Sequence, residues 1–352
     1  MAFLSVEHIE IIGVSACVPK AVESNFEYDF LTEKERELLI KTTGVEFRRK
    51  APDKITTSDM CFESAEALIE SLNIDKSEID ILLFVSQSPD YFLPATSIIL
   101  QDRLGLSKST MAFDIQMGCS GYVYGLSVIS NLMSSGNFRK GLLLVGDKSS
   151  LSLTKTDKSA YPIFGDAGSA TLLNYNPNSN SKMDFNLQSD GAGYKSIIIE
   201  DGGARNPYSS KSEIKREVEP GVVRSKRNLV LEGIDIFNFS MREVAPNIID
   251  LINYNHTSLD DYDFFVFHQA NKLINDSIRK KLKVTPEKFP SSLRDFGNTS
   301  SASIPLTIVT ELSDSLKSGK KSLLLSGFGV GLSWGTVTLN TDNLFCLPLL
   351  EI

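Results

Sequence analysis

Cysteine is scarce in this chain and shows no pairing pattern: Cys17, Cys61, Cys119 and Cys346 form no CxxC motif. Histidine is rarer still, limited to His8, His256 and His268, so the ligand set of a structural zinc site is missing. No apolar run approaches the ~20 residues that a membrane-crossing helix requires. The N-terminal MAFLSVEHIEIIGV carries acidic residues where a signal peptide would be positive. Positive charge is also in deficit, with a formal net charge of -8, which argues against general nucleic-acid binding because neutralising phosphates needs excess Lys and Arg. These absences predict a cytoplasmic protein with free thiols and no metal, membrane or nucleic-acid partner. An anionic partner would have to meet a local basic patch.

What is present is an ordinary globular mixture, 41% hydrophobic and 23% charged over 352 residues. That length suits two domains or one duplicated architecture. Short apolar runs alternate with longer amphipathic ones, the pattern of an α/β protein with buried strands. In the first half the predicted strands are IEIIGVSA, DILLFVSQ, TMAFDIQ, GLLLVGD and GSATLLNY, with helices over roughly Ser58 to Leu72, Ala95 to Leu104 and Ser120 to Ser134. In the second half DFFVFHQ runs through a polar elbow into a helix over Lys272 to Leu282, and KSLLLSGFGVGLSWGTVTLN reads as two strands joined by a glycine-rich turn. Each half thus holds a strand, a polar elbow and a helix, and we divide them as residues 1–178 and 179–352. One polar stretch, residues 201–228, does not fit. It sets Arg205, Lys211, Lys215, Arg216, Arg224, Lys226 and Arg227 against Asp201, Glu213, Glu217 and Glu219. A solvated surface excursion is the favoured reading, with a lid or docking loop for an anionic ligand as the alternative.

Three elbows carry candidate chemistry. In DIQMGCSGYVYGL, Gly118 permits a tight turn and Cys119 falls where a helix begins, so the helix dipole would favour its thiolate. The segment alone reads equally well as a buried inert thiol. In DFFVFHQANKL, His268 ends a strand, where α/β sites usually lie, although a lone histidine is more often structural. In FGNTSSASIP, Asn298 sits among small residues that let backbone and carboxamide approach a ligand; it serves equally as an N-cap. The turn SGFGVGLSW lacks dinucleotide-binding spacing, since no helix follows it. A thiol, an imidazole and a carboxamide together suit thioester chemistry without a metal.

The segments DIQMGCSGYVYGL, FVFHQANKLI, FGNTSSASIP and GFGVGLSWGTV, in this order, together with FGDAGSATLL and IKTTGVEFRR, resemble β-ketoacyl-acyl-carrier-protein synthase III over nearly the whole chain outside residues 201–228. The resemblance implies a thiolase-like α/β fold of five layers, αβαβα, built from two similar halves and assembled as a homodimer. It implies a decarboxylative Claisen condensation: Cys119 is acylated by an acyl-CoA or acyl-carrier thioester, while His268 and Asn298 activate malonyl-acyl carrier protein. The backbone amides of Cys119 and Val330 would form the oxyanion hole. Leu93 (from the dimer partner), Phe328 and Asn271 would border the substrate pocket, and no permanent cofactor is implied. Lys158, Lys272, Arg279 and Lys280 would serve docking of coenzyme A or an acyl carrier protein. The chain departs from the family's usual adenine-stacking pair at Leu38 and Thr42, and from its usual arginines at Leu273 and Lys158. A non-condensing acyltransferase, passing the acyl group from Cys119 to a hydroxyl or amine, is the alternative.

Overall fold

The computed structural model describes residues 2–352. Two sheets carry the fold. The first orders its strands as Phe345–Cys346, Ile9–Val18, Ala167–Tyr175, Lys140–Asp147, Ile79–Val85 and Met111–Ile115, with Leu350–Glu351 also pairing to Ile9–Val18. The second runs Ala2–Glu7, Lys182–Ser189, Ser333–Asp342, Lys320–Gly329 and Phe264–Phe267. Four adjacent strands repeat one pattern in both sheets: antiparallel, antiparallel, parallel. The strand-sized Val, Ile and Leu runs are buried on both faces, as parallel pairing between helical layers demands.

Helices fill three layers around these sheets. Gly121–Met133 and Ser303–Glu311 lie between the sheets, where Tyr122, Leu126, Ile129, Ile304 and Ile308 join the largest core cluster with strand residues of both sheets. Thr57–Ser71 and Thr96–Arg103 cover the outer face of the first sheet. Gly233–Tyr254 and Lys272–Leu282 cover that of the second. The result is the five-layered αβαβα arrangement. All five first-half strands and all four helices with stated ranges lie within two residues of their expected bounds.

The termini cross the 178/179 division. Ala2–Glu7 pairs with Lys182–Ser189 in the second sheet, and Phe345–Cys346 and Leu350–Glu351 pair with Ile9–Val18 in the first. Residues 201–228 are mostly exposed, as a surface excursion would be, but they are not free of the body. They form a small ribbon, Arg216–Glu219 with Val222–Arg224, pinned to the body by Val223 N to Thr156 O at 2.9 Å and by the Arg224 to Asp157 ion pair at 3.3 Å. Its Asp201, Gly202, Gly203 and Arg227 line the mouth of the main cavity. The pattern read as polar surface because only its inner edge touches the body.

Candidate active site

Cys119 follows the strand Met111–Ile115 and precedes the helix Gly121–Met133, at the seam between the two sheets. Gly121 N donates to Gly118 O at 2.6 Å to close the elbow, and the Ser120 hydroxyl lies 2.7 Å from that of Ser333. The glycine-rich strand end passes directly over this elbow. A Cβ on Gly327 would lie 2.9 Å from Ser120 Cα, and one on Gly329 would lie 2.6 Å from Cys119 Cβ and 2.9 Å from its sulfur. Those alternating glycines therefore serve a close backbone approach across the seam.

His268 directly follows the strand Phe264–Phe267. Its backbone N donates to Ser326 O at 2.8 Å, and Asn275 Nδ2 donates to its carbonyl at 3.0 Å. The ring is held by Ser303 Oγ, 2.8 Å from Nδ1, and packs edge-on to Phe328 with centroids 5.5 Å apart. Asn298 sits on a turn locked to the first half: its N donates to Ile163 O at 2.9 Å, and Gly165 N donates to its carbonyl at 3.0 Å. Gly297, with φ +63°, passes so close to Ile163 O that no side chain fits there. Asn298 Oδ1 accepts from Ser300 N at 2.9 Å, so the carboxamide is oriented and its NH₂ is left with only a 3.5 Å contact to Ala270 O.

Cys119, His268 and Asn298 all line one cavity of about 780 Å³. Phe328, Val330 and Asn271 share its wall. Leu93 does not line the cavity of its own chain; Tyr91 and Phe92 do, and all three side chains are strongly exposed. The proposed docking residues are elsewhere. Lys272 and Arg279 flank a separate cleft of about 310 Å³ and are both paired with Asp276, and Lys158 abuts Gly221 in the ribbon. Neither Lys158 nor Lys280 lines either cavity.

The electrostatics correct one expectation. Burial pushes the Cys119 thiol up to about 11, reinforced by the negative charge of Asp147, and the opposing backbone amides of Val330 and Cys119 do not offset this. The resting group is the thiol, not the thiolate that the helix end alone would favour. Burial drives His268 the other way, down to about 3, so its imidazole is neutral at physiological pH. Three polar residues in or beside the cavity escaped the motif reading: Asp147, Ser300 and Ser303. Asp147 had one available signal, since it ends the apolar run GLLLVGD at the carboxyl edge of a strand. Among the described residues no cluster of His, Cys, Asp and Glu is arranged to hold a metal ion, and no helix is long and apolar enough to cross a membrane.

The chain is similar in sequence and fold to known proteins. Residues 113–191 match the model of 3-oxoacyl-[acyl-carrier-protein] synthase III, and residues 252–341 match that of its C-terminal region. A putative 3-oxoacyl-[acyl-carrier-protein] synthase 3 from Campylobacter jejuni is 35% identical over 340 residues, covering 95% of this chain and 92% of the relative. A β-ketoacyl-[acyl-carrier-protein] synthase III from Streptococcus sanguinis is 32% identical, covering 94% and 98%. The solved 3-oxoacyl-(acyl-carrier protein) synthase from Burkholderia xenovorans LB400 superposes with a TM-score of 0.94 at 36% identity, over 100% of this chain and 99% of that one.

Proposed function

The chain belongs to the 3-oxoacyl-[acyl-carrier-protein] synthase III family, a transferase family of fatty-acid biosynthesis, and from that premise we propose how its residues divide the condensation. Cys119 Sγ attacks the carbonyl of an acyl thioester, and the donor leaves as a thiol. The neutral His268 imidazole and the Asn298 NH₂ then donate to the thioester carbonyl of malonyl on its carrier protein. Their donation stabilises the enolate as carbon dioxide departs. The enolate carbon attacks the acyl-Cys119 carbonyl, the amides of Cys119 and Val330 hold the tetrahedral oxyanion, and its collapse releases the β-ketoacyl product. One preorganised donor of this kind is worth about 3 kcal/mol of barrier.

The observation that carries the reading is the meeting of a sulfur, a neutral imidazole and an oriented carboxamide in one cavity. A charged His268 would bind substrate carboxylate as strongly as enolate; a neutral one favours the charge that develops as carbon dioxide leaves. The primer's carrier is a phosphopantetheine thioester of coenzyme A or of acyl carrier protein. Leu38, at the usual adenine-stacking position, is exposed on the helix Glu33–Thr43 and offers no aromatic face. Tyr91, Phe92 and Leu93 form an exposed apolar run beside the cavity, which suits cover by a second copy of the chain in a homodimer, with the partner's Leu93 closing the acyl pocket.

The test is mass spectrometry of the protein after exposure to acyl thioesters, paired with carbon dioxide release from malonyl-acyl carrier protein. Cys119→Ala abolishes the acyl adduct, while His268→Ala and Asn298→Ala lose carbon dioxide release more than adduct. A β-ketothioester product supports condensation. An ester or amide as sole product overturns it.

A further inference from the structure

The residues lining the main cavity divide by chain segment. Ile163, Phe164, Ile197, Leu229, Leu231 and Ile236 supply the apolar surface that an acyl chain requires. The segments around the nucleophile are different: they line the same cavity with Gln87, Ser88, Asp90 and Gln116. Gln116 stands just before the elbow, where the strand Met111–Ile115 ends and the turn to Cys119 begins. The Gln87 carboxamide oxygen lies so close over Gly118 that no side chain fits there, which puts it beside the nucleophile. Both glutamines are exposed, and neither carboxamide is hydrogen-bonded to another described residue; Gln87 is engaged only through its backbone N, 2.7 Å from Asp147 Oδ1.

Asp90 adds an acceptor in search of a donor. One of its oxygens accepts from Ser58 Oγ at 2.7 Å, while Oδ1 is buried and has no hydrogen-bond partner. Asp147, by contrast, is satisfied on both oxygens: one accepts from Gln87 N at 2.7 Å and Ser86 Oγ at 3.1 Å, the other from Ser301 Oγ at 2.7 Å and Ser301 N at 3.3 Å. A buried acceptor without a donor costs free energy, and native structures keep few of them. No cation of the cavity lining answers Asp90. Lys148 turns its ammonium to the carbonyls of Pro52 and Ile55, both at 2.8 Å. Arg227 belongs to the mouth, over the Tyr208 ring at 5.5 Å and 3.7 Å from Glu213.

A plain alkyl chain laid along this lining displaces water from two carboxamides and a carboxylate and gives them nothing to bond. A carboxylate on the chain meets the like charges of Asp90 and Asp147. A hydroxyl or an ammonium donates to Asp90 Oδ1 or to a glutamine carbonyl, and a hydroxyl also accepts from a glutamine NH₂. Resting on the reading of Cys119 as the acylated residue, we propose that the primer is an acyl thioester bearing a hydrogen-bond donor, a hydroxyl or an amine, close to its carbonyl. Gln87, Gln116 and Asp90 select it over the unsubstituted acyl group, and the aliphatic residues take the rest of its chain.

The test offers the full chain butyryl, 3-hydroxybutyryl, 3-aminobutyryl and succinyl thioesters, each on coenzyme A and on acyl carrier protein, and follows acyl-enzyme formation by rapid quench and mass spectrometry. The 3-hydroxy or the 3-amino primer acylates Cys119 about tenfold or more faster than butyryl, and succinyl is the slowest of the four. Gln87→Leu and Gln116→Leu each reduce that ratio severalfold. The ratio is taken within one protein, so a uniform loss of folded enzyme cancels. Asp90→Asn separates the two donors, since it weakens selection of the ammonium more than that of the hydroxyl. Butyryl acylating as fast as both polar primers overturns the proposal, and so does a ratio that neither glutamine variant moves. Either result leaves Cys119 as the acylated residue. Wild-type protein that no thioester acylates removes the parent reading along with this one.

Discussion

Replacing Gly329 with Ala tests the seam between the two sheets at its tightest point. The new methyl would lie 2.6 Å from Cys119 Cβ and 2.9 Å from its sulfur, at φ +157°. Ordinary contact begins at 3.4 Å, so the strand end must retreat by about 0.8 Å from the elbow. Overpacking of this kind costs about 1–3 kcal/mol, which a domain of ordinary stability survives. The next residue is Val330, whose amide favours a negative charge on Cys119. A shift of that size takes one oxyanion donor out of range, worth about 3 kcal/mol of barrier or roughly 10²-fold in rate. Gly329→Ala should therefore fold, melt several degrees lower and acylate Cys119 roughly 10²-fold more slowly, read by thermal melting and rapid-quench mass spectrometry. Gly233→Ala is the control, since Gly233 lines the same cavity but a Cβ there meets nothing within 4 Å. Gly329→Ala protein acylating at the wild-type rate with an unchanged melting temperature would refute the reasoning.

Further expectations concern protons and polar contacts. Removing the Ser303 hydroxyl from His268 Nδ1 with Ser303→Ala should lower carbon dioxide release from malonyl-acyl carrier protein roughly tenfold while sparing acylation; equal losses would contradict a role through His268. Alkylation of Cys119 by iodoacetamide should climb about tenfold per pH unit with no plateau below about pH 10, and a plateau near neutrality would show a standing thiolate. Because the folded His268 titrates near 3, decarboxylation by Cys119→Ala protein should not show a titration near the ordinary histidine pKa of about 6.5. The same depression has a stability sign. Below about pH 6.5 the unfolded imidazole binds a proton that the folded one refuses, so this residue's contribution falls as pH drops from about 6.5 toward 3, and urea midpoints should show a shallower acid decline in His268→Gln. Asn247→Ala strips buried bonds to Asn186, Gln188 and Thr336 and should destabilise the fold by about 2–4 kcal/mol in urea unfolding, without a selective loss of acylation.

The strands of the first half were legible because continuous Val, Ile and Leu runs have few other homes in a globular chain, and the helices because their apolar spacing and end residues are local signals. The destinations of Ala2–Glu7 and of Phe345–Cys346 were not legible, since pairing partners lie far away in sequence and no residue of these short strands names them. At the site, elbow composition made Cys119, His268 and Asn298 candidates but left each with an equally good structural reading, and only the combination of motifs singled them out. The charge state of Cys119 did not, because helix position is local whereas burial and Asp147 are supplied by other segments. Asp147 and Ser303 look like an ordinary strand end and an ordinary helix start until the fold brings them to the cavity or the imidazole. Residues 201–228 were legible as surface but not as cavity lining: polarity records the solvent-facing edge and is silent about what the inner edge covers.

The crossing of the termini has a mechanical consequence. Ala2–Glu7 sits at the edge of the second sheet and Leu350–Glu351 borders the first, so each end of the chain is laced into the opposite half. A break at 178/179 would leave each fragment holding an edge strand that belongs to the other, with its hydrogen-bonding groups bare. The halves should thus melt in a single step and recombine as fragments only when mixed. A seam that must position a sulfur against an amide from the opposite sheet gains its stiffness from that lacing.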